Sequence, residues 1–221
     1  MREQIERDGF ALVPAVLSEK ECETLIDFLG PASGAGRRGL LAEPAVAELA
    51  RSSRLLDLVR PYTGGEPFPV RVIYFDKSPD GNWLVSWHQD LTIALHEQVE
   101  TPGFGPWSVK EGIPHVHPPA ELLERMLTVR LHLDPADKSN GALRVLPGSH
   151  REGRLANAEI QAWRGRVGEV TCAATCGEAL LMRPLILHAS GRSTSPRHRR
   201  VLHLEYAAFS LPPGLHWHEA A

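Results

Sequence analysis

A histidine and an aspartate two positions apart, His88 and Asp90, are the first candidates for chemistry in this sequence. Successive side chains of a β-strand point to opposite faces, so both would project from the same side of a strand. An imidazole beside a carboxylate is two thirds of the 2-His-1-carboxylate arrangement, which holds iron(II) by one face and leaves other coordination positions open. The sequence contains 11 histidines, so a chance pairing of an edge-strand histidine with a solvated aspartate is the alternative.

A second histidine is available in the apolar stretch 185–190, which contains His188. A lone histidine on an apolar strand is more often a core residue than a metal ligand. His188 nevertheless belongs to a late strand, as is needed for ligands that converge from across a barrel. Arg199 follows at the start of another predicted strand, where the alternative is a surface basic cluster with Arg197 and Arg200.

A predicted N-terminal helical layer, at about 1–65, precedes these candidates. Ser18 and Glu21 have the spacing of a capping box, and apolar residues at helical spacing follow them, so a helix is predicted over 18–29. The other predictions for this layer are a strand at 9–14, a mobile loop at 31–39, and helices at 44–50 and from 52 to about 63.

A β-rich core is predicted from about 66 to 210, where apolar residues alternate with polar ones. Asn140-Gly141 is a strong hairpin signal within it. Many short strands separated by turns favour a sandwich or barrel, with a jelly roll as the eight-strand solution. We therefore predict one mainly β (α+β) domain spanning 1–221. The predicted strands are 70–75, 83–90, 127–134, one ending at 146, 168–174, 178–182, 184–189 and 199–208, with a helical insertion at 156–163.

The segment 96–120 is rich in proline and glycine and directly follows the His-x-Asp strand. Long loops inside compact domains are usually functional, so a lid loop over the mouth of the site is predicted. His115 and His117 repeat the two-residue spacing within it. They lack an accompanying carboxylate and are flanked by prolines, which is more typical of loop histidines than of ligands.

Composition excludes several function classes. A net charge of −3 and a pI near 6.4 give no electrostatic footprint for nucleic acid. No apolar run approaches the length of a bilayer span and the N-terminus is charged, so no membrane association and a cytoplasmic location are predicted. Cys22, Cys172 and Cys176 are too sparse for a disulfide framework, and buried thiols are favoured over a zinc site.

Taken together, these motifs resemble the phytanoyl-CoA dioxygenase family of iron(II)/2-oxoglutarate-dependent oxygenases. The matching segments are 8–14 with the helix that follows, 87–90, 140–150, and His188-Ala189-Ser190 followed by Arg199. They extend over nearly the whole chain, and their combination is more specific than any one of them. The resemblance implies a double-stranded β-helix, the jelly-roll or cupin-like barrel, packed against N-terminal helices.

The resemblance also implies roles for individual residues. His88, Asp90 and His188 match the ligands of Fe(II), Arg199 matches the arginine that pairs with the distal carboxylate of 2-oxoglutarate, and Ser190 matches a hydroxyl that assists it. A guanidinium suits this task because it forms two parallel charge-assisted hydrogen bonds with a carboxylate. The implied reaction uses O2, releases succinate and CO2, and hydroxylates an unactivated carbon. The Asp90 carboxylate argues against halogenation, while desaturation or cyclisation stays open.

Two further questions are left open by the sequence. Thr128 shares one face of its predicted strand with Arg130 and His132, and that face is either the lumen or the solvated outside of the barrel. If it is the lumen, Thr128 is a candidate for cosubstrate binding. No basic nucleotide-binding patch is evident, so a small-molecule substrate is expected rather than an acyl-CoA, and the oligomeric state is not predicted.

Two alternatives to an oxygenase are a catalytically inactive cupin-like binding or regulatory protein and a non-oxygenase cupin enzyme with zinc or manganese. The first would have no reason to keep His88, Asp90, His188 and Arg199 together. The second would bind metal through the same ligands but would not depend on 2-oxoglutarate.

Overall fold

The computed structural model describes residues 1–32 and 36–220, so part of the loop predicted at 31–39 lies outside the described residues. The predicted N-terminal helices are confirmed. Ser18 Oγ accepts a hydrogen bond from the Glu21 amide at 3.3 Å, and the Glu21 carboxylate accepts one from the Ser18 amide at 2.8 Å, which is the predicted capping box. The helices are α1 (Arg2–Asp8), α2 (Glu19–Leu29), α3 (Pro44–Ala50), α4 (Ser53–Thr63), α5 (Ala120–Glu124) and α6 (Asn157–Arg166).

Antiparallel strands form the core. They are β1 (Phe10–Val13), β2 (Phe68–Lys77), β3 (Val85–His88), β4 (Ile93–Ala94), β5 (Trp107–Lys110), β6 (Ile113–Val116), β7 (Leu127–His132), β8 (Leu143–Val145), β9 (Val170–Thr171), β10 (Ala179–Met182), β11 (His188–Ser190) and β12 (Arg199–Ala207). A five-stranded sheet has the order β1-β10-β7-β12-β2, a four-stranded sheet β3-β11-β8-β9, and a three-stranded sheet β4-β6-β5. The predicted jelly-roll architecture is confirmed, although its strands pair in separate sheets and not in one closed barrel.

Strand β7 separates the hydrophobic core from a polar interior. Leu127, Val129 and Leu131 are fully buried in the same cluster as the apolar faces of α3 and α4. Thr128, Arg130 and His132 alternate with them and are also buried, and Arg130 lines the cavity between the five-stranded and four-stranded sheets. The polar face of this strand is therefore the lumen, which answers the question that the sequence left open.

The structure corrects two local predictions. Asn140-Gly141 does not join a hairpin, because β7 and β8 belong to different sheets. Asp137 caps a short 3-10 helix, Lys138–Asn140, and Gly141 adopts a φ of 74°, so the turn sends the chain across to the opposite sheet. The segment 96–120 is not a continuous loop either, since β5 and β6 form a hairpin within it and β6 pairs with β4.

The boundary near residue 66 separates most helices from most strands, but β1 crosses it. Phe10–Val13 pairs with β10 at the edge of the five-stranded sheet, so the N-terminal layer contributes a strand to the core. Among the described residues, no helix is both long and apolar enough to cross a membrane.

Gly177 is a position where the fold requires glycine. It has a φ of 82°, and an added Cβ would overlap the carbonyl oxygen of Leu17. Its own carbonyl accepts hydrogen bonds from Val16 and Leu17 at 2.9 Å, and its amide donates to the His132 carbonyl at 2.8 Å, which together hold the chain before α2 against the end of β7. We expect Gly177→Ala to lower the free energy of unfolding by about 3 kcal/mol, measured by urea denaturation.

The matched control is Gly165→Ala in α6, where a Cβ meets nothing within 4 Å. It should raise stability by about 0.5–1 kcal/mol, because alanine loses less backbone entropy in a helix. Equal stabilities of the two variants would contradict the steric argument.

Candidate active site

The two histidines predicted as ligands face each other across one strand pair. His188 on β11 is directly opposite His88 on β3 in the antiparallel register, and their ring centroids are 4.2 Å apart. Asp90 follows β3 by two residues, and its amide donates to the Pro184 carbonyl at 2.9 Å, which anchors the end of the strand. Asp90 Oδ1 lies 3.8 Å from His88 Nε2, and Asp90 Oδ2 lies 3.7 Å from His188 Nε2.

Both imidazoles are oriented by the same backbone contact. His88 Nδ1 lies 2.9 Å from the Ser86 carbonyl oxygen, and His188 Nδ1 lies 2.9 Å from that of Ile186. A carbonyl only accepts, so each Nδ1 carries a proton, and in the neutral imidazole Nε2 then presents the lone pair. Such a backbone partner is the usual way to fix a metal-binding histidine.

The three side chains fit a single divalent metal ion. One ligand atom from each of His88, Asp90 and His188 lies within 4.8 Å of the others. Two donors with bonds of about 2.1 Å to one metal can be up to about 4.2 Å apart, so the separations from Asp90 to the histidines are in range. Within the described part of the chain, Asp90 Oδ2 is buried and has no hydrogen-bond partner.

The electrostatics favour the protonation states that metal binding needs. Burial opposes ionisation of Asp90, but His188, His203 and His88 together hold the pKa of its carboxyl well below the usual range. Burial lowers the pKa of His188 to about 4, against the opposing effect of Asp90. A carboxylate and a neutral imidazole are therefore present at neutral pH, and these are the ligand forms.

These residues line a cavity of about 170 Å³ between the two larger sheets. Arg199, at the first position of β12, is 2% exposed and lines the same cavity. Its Nε and Nη1 have no hydrogen-bond partner among the residues that the structure describes. Burial, and then the neighbouring Arg130, lower the pKa of Arg199 to about 9, so the guanidinium remains charged at neutral pH.

A buried guanidinium without an anionic partner is costly, because desolvation of its charge is not offset. Arg199 is therefore suited to a ligand carboxylate. The surface-cluster alternative applies to its neighbours: Arg200 forms a two-pronged pair with Asp134 at 2.6 and 2.7 Å, and Arg197 pairs with Asp137 at 2.6 Å.

Ser190 also lines the cavity, where protein contacts orient its hydroxyl. Its Oγ accepts from Lys77 Nζ at 2.9 Å and donates to the Gly141 carbonyl at 2.8 Å. Lys77 is fully buried and donates to the Gly191 carbonyl at 2.6 Å as well. Burial, with Arg199 and Arg130, lowers the pKa of Lys77 to about 7.

Thr128 and the loop histidines lie apart from the metal cluster. Thr128 is fully buried on the lumen face, opposite Glu205, but it is not one of the residues lining the cavity, so its role in cosubstrate binding stays a prediction. His115 is buried in the three-stranded sheet with Nδ1 2.9 Å from the Ile113 carbonyl oxygen. Neither His115 nor His117 belongs to the described metal cluster.

Sequence reasoning missed a hydrogen-bonded row across the cavity. Arg130 Nη1 donates to His203 Nδ1 at 2.7 Å, His203 Nε2 donates to Glu205 at 3.1 Å, and Glu205 pairs with Arg71. A signal was available: His203 and Glu205 share the face of Arg199 at two-residue spacing along the predicted strand 199–208. Polar residues at alternate positions of an otherwise apolar strand indicate a lined interior.

The low pKa of Lys77 predicts a pH effect on stability. The unfolded lysine has a pKa of about 10.4, so between pH 7 and 10 the unfolded chain binds more protons and stability rises with pH. Below about pH 7 Lys77 is charged in the folded protein as well, so the full free-energy cost of burying its charge lowers the stability. We expect the wild type to gain stability relative to Lys77→Met as pH rises through this window, in urea denaturation without metal or cosubstrate.

The control for this experiment is Lys138→Met, which changes an exposed lysine outside the cavity. A stability difference between wild type and Lys77→Met that stays constant with pH would contradict the prediction.

Comparison with known proteins adds to this geometry. The family described as Phytanoyl-CoA dioxygenase (PhyH) matches residues 5–201. A curated protein of Stutzerimonas stutzeri, named probable alpha-ketoglutarate-dependent hypophosphite dioxygenase, is 27% identical over 192 residues. The match covers 76% of this chain but only 55% of the relative, so the chain spans about half the length of that protein.

Solved structures share the fold at low identity. EctD from S. alaskensis, crystallised with 2-oxoglutarate and 5-hydroxyectoine, has a TM-score of 0.71 and 21% identity, and the match covers 93% of this chain and 74% of EctD. SnoK, named as a non-heme alpha ketoglutarate dependent carbocyclase from nogalamycin biosynthesis, has a TM-score of 0.69 and 16% identity, covering 92% of this chain and 81% of SnoK.

Proposed function

The chain belongs to the phytanoyl-CoA dioxygenase family, and on that premise we propose that it is an iron(II)- and 2-oxoglutarate-dependent dioxygenase that hydroxylates a small molecule. One observation carries the proposal. The Nε2 atoms of His88 and His188 and the carboxylate of Asp90 converge in the same cavity as the buried guanidinium of Arg199, whose Nε and Nη1 have no hydrogen-bond partner among the described residues. A metal site beside a carboxylate-binding arginine is the combination that this chemistry requires.

His88, Asp90 and His188 would hold Fe(II), and Arg199 would bind the distal carboxylate of 2-oxoglutarate. Iron with bound 2-oxoglutarate supplies an oxidation in which O2 converts the cosubstrate to succinate and CO2 and delivers its second oxygen atom to the substrate. The protein would contribute orientation and charge: Asp90 would partly neutralise a bound metal ion, and the hydrogen bonds from both Nδ1 atoms keep the imidazoles aligned.

Ser190 would assist Arg199 at the distal carboxylate. Its proton is directed to the Gly141 carbonyl and Lys77 donates to its oxygen, so the hydroxyl is held in one orientation. Thr128 is a further candidate for cosubstrate binding: it is fully buried on the same lumen face, although it does not line the cavity.

The cavity supports a small substrate. Its volume of about 170 Å³ is below the range of about 300–1,000 Å³ that is typical of sites for drug-sized ligands. We therefore propose a small molecule as the substrate rather than an acyl-CoA. The relative's name refers to hypophosphite, so that ion belongs in the first substrate screen together with carbon compounds.

The test begins with anaerobic enzyme, Fe(II) and 2-oxoglutarate. We expect a weak visible charge-transfer band from the chelate, and succinate formation when O2 is admitted. Absence of the band at saturating iron would contradict the proposal. Metal binding without 2-oxoglutarate dependence would instead support a metal cupin enzyme of another class.

Hydroxylation itself is tested by product analysis. A carbocyclase with a similar fold is known, so the fold alone does not determine the product. We expect the product of the best substrate to gain one oxygen atom from O2, detected by mass spectrometry with labelled O2. A product that has lost two hydrogens and gained no oxygen would indicate desaturation or cyclisation.

A further inference from the structure

Positive side chains form two groups at the cavity. The inner cations are Arg130 and Arg199, which line it, and Lys77, which does not line it but donates to the lining residue Ser190; the mouth cations are Arg38, Arg71 and Lys110, which line it. Apart from burial, the pKa of Lys77 is lowered by Arg199 and Arg130, whereas that of Lys110 is lowered by Arg71 and Arg38. Arg199 is opposite Lys77 in the register of β12 with β2, and Glu205 is opposite Arg71 six residues further along β12, so the two groups lie towards opposite ends of this strand pair.

The mouth cations are only partly balanced by protein carboxylates. Glu205 pairs with Arg71, and Glu111 pairs with Arg38. Lys110 Nζ has only the Thr92 hydroxyl, at 3.4 Å, as a hydrogen-bond partner among the described residues. The Nε of Arg71 is buried and has no partner there either. Asp90 and Glu219 also interact with Arg71, but Asp90 is a candidate metal ligand, and Lys110 has no carboxylate within hydrogen-bond distance among the described residues. Lys110 is therefore the cation most available to a ligand.

A folded hairpin positions Lys110. It is the last residue of β5, and Glu111 and Gly112 connect it to β6 with φ angles of 54° and 80°. Two left-handed residues in succession are typical of the tight turns that join twisted antiparallel strands. Arg38, from the N-terminal part of the chain, pairs with Glu111 at this turn, which ties the end of the hairpin next to Lys110 to the cavity mouth.

We propose that the mouth cations, with Lys110 as the principal contact, bind an anionic group of the primary substrate, either a carboxylate or a phosphorus oxyanion. This inference rests on the proposed function, because it assigns 2-oxoglutarate to the inner cations. If 2-oxoglutarate is chelated by the metal and bound by Arg199, the positive charge at the mouth still has no anionic ligand. Ile73, Phe75, Val85 and Leu143 provide apolar lining for the remainder of a small substrate.

The experiment measures anion binding to the loaded enzyme. Protein with Fe(II) and saturating 2-oxoglutarate is titrated anaerobically by calorimetry with propionate, with methylphosphonate, and with the neutral propionamide. We expect at least one anion to bind about tenfold or more tightly than propionamide, since a charge-assisted hydrogen bond is worth at least that factor. The tighter of the two anions identifies the substrate class.

Lys110→Gln should weaken binding of the preferred anion about tenfold. Lys110 is exposed, so the substitution does not endanger the fold, and the exposed Lys138→Gln is the matched control. The visible band of the iron chelate and the affinity for 2-oxoglutarate should be unchanged in both variants.

The outcomes separate the two proposals. If the chelate band is normal but the protein does not bind anions more tightly than propionamide, only the anion site is overturned. The same holds if Lys110→Gln binds the anion as tightly as the wild type does. Weaker 2-oxoglutarate binding in Lys110→Gln would show that the mouth cations bind the cosubstrate, which also overturns it. Absence of the band in wild type contradicts the proposed function, and the anion site fails with it.

Discussion

His188→Asn should abolish 2-oxoglutarate turnover while leaving the protein folded. Asparagine can keep the hydrogen bond to the Ile186 carbonyl that His188 Nδ1 now makes at 2.9 Å, but it has no atom equivalent to Nε2. Losing an oriented partner of a ligand already costs about 10–100-fold in metal affinity or activity, so losing the ligand should cost at least about 100-fold in iron affinity. Iron titration measures the iron affinity, succinate release measures the turnover, and thermal unfolding shows whether the variant is folded.

His115→Asn is the control for this variant. His115 is fully buried and makes the same Nδ1 contact with a carbonyl two residues earlier, at 2.9 Å, but it lies outside the metal cluster. The His115→Asn variant should keep both the iron affinity and the turnover of the wild type. The assignment of His188 as a ligand would be refuted by a His188→Asn variant with normal iron binding, or by an equal loss in His115→Asn.

Arg199→Gln should raise the KM for 2-oxoglutarate by at least about 30-fold. Removing one partner of a buried charge pair costs about 2–5 kcal/mol, and each 1.4 kcal/mol is about a factor of ten. Iron affinity without cosubstrate should not change. The free protein should not lose stability through this change, because the buried Nε and Nη1 make no hydrogen bond with any described residue.

Arg200→Gln distinguishes this effect from a general effect of strand β12. Arg200 adjoins Arg199 but pairs with Asp134 on the opposite side of the strand. The control should lower thermal stability slightly and leave the KM for 2-oxoglutarate unchanged. If both variants raise KM equally, Arg199 does not bind the cosubstrate directly.

Strand periodicity explains why part of the site could be predicted. A repeat of two residues predicts His88 and Asp90 on one side of an extended segment. In the structure β3 ends at His88, and the bond from the Asp90 amide to the Pro184 carbonyl positions the carboxylate beside it. The same rule places His203 and Glu205 with Arg199. The choice between lumen and outside for Thr128 could not be made, because every residue of β7 is buried and only the position of the helices separates its two faces.

The pairing of strands that are distant in the chain could not be predicted from the sequence. Asn140-Gly141 has the composition of a hairpin turn, yet whether the next strand returns beside β7 or crosses to the other sheet depends on long-range partners such as β11. The mouth cations illustrate the same limit. Arg38, Arg71 and Lys110 are far apart in the chain, and nothing local marks them as neighbours.

Because Lys110 lies on a hairpin apart from the strands that carry the metal ligands, the distance from the lysine to the metal site can change without any change in the ligands. Strands advance about 3.3 Å per residue, so adding two residues to β5 and two to β6 would move a terminal lysine outward by about 6.6 Å while preserving which face it occupies. The metal ligands lie on other strands and would not shift. Insertions at this turn would therefore allow a lineage, or an engineer, to change the size of the accepted molecule without rebuilding the oxidising centre.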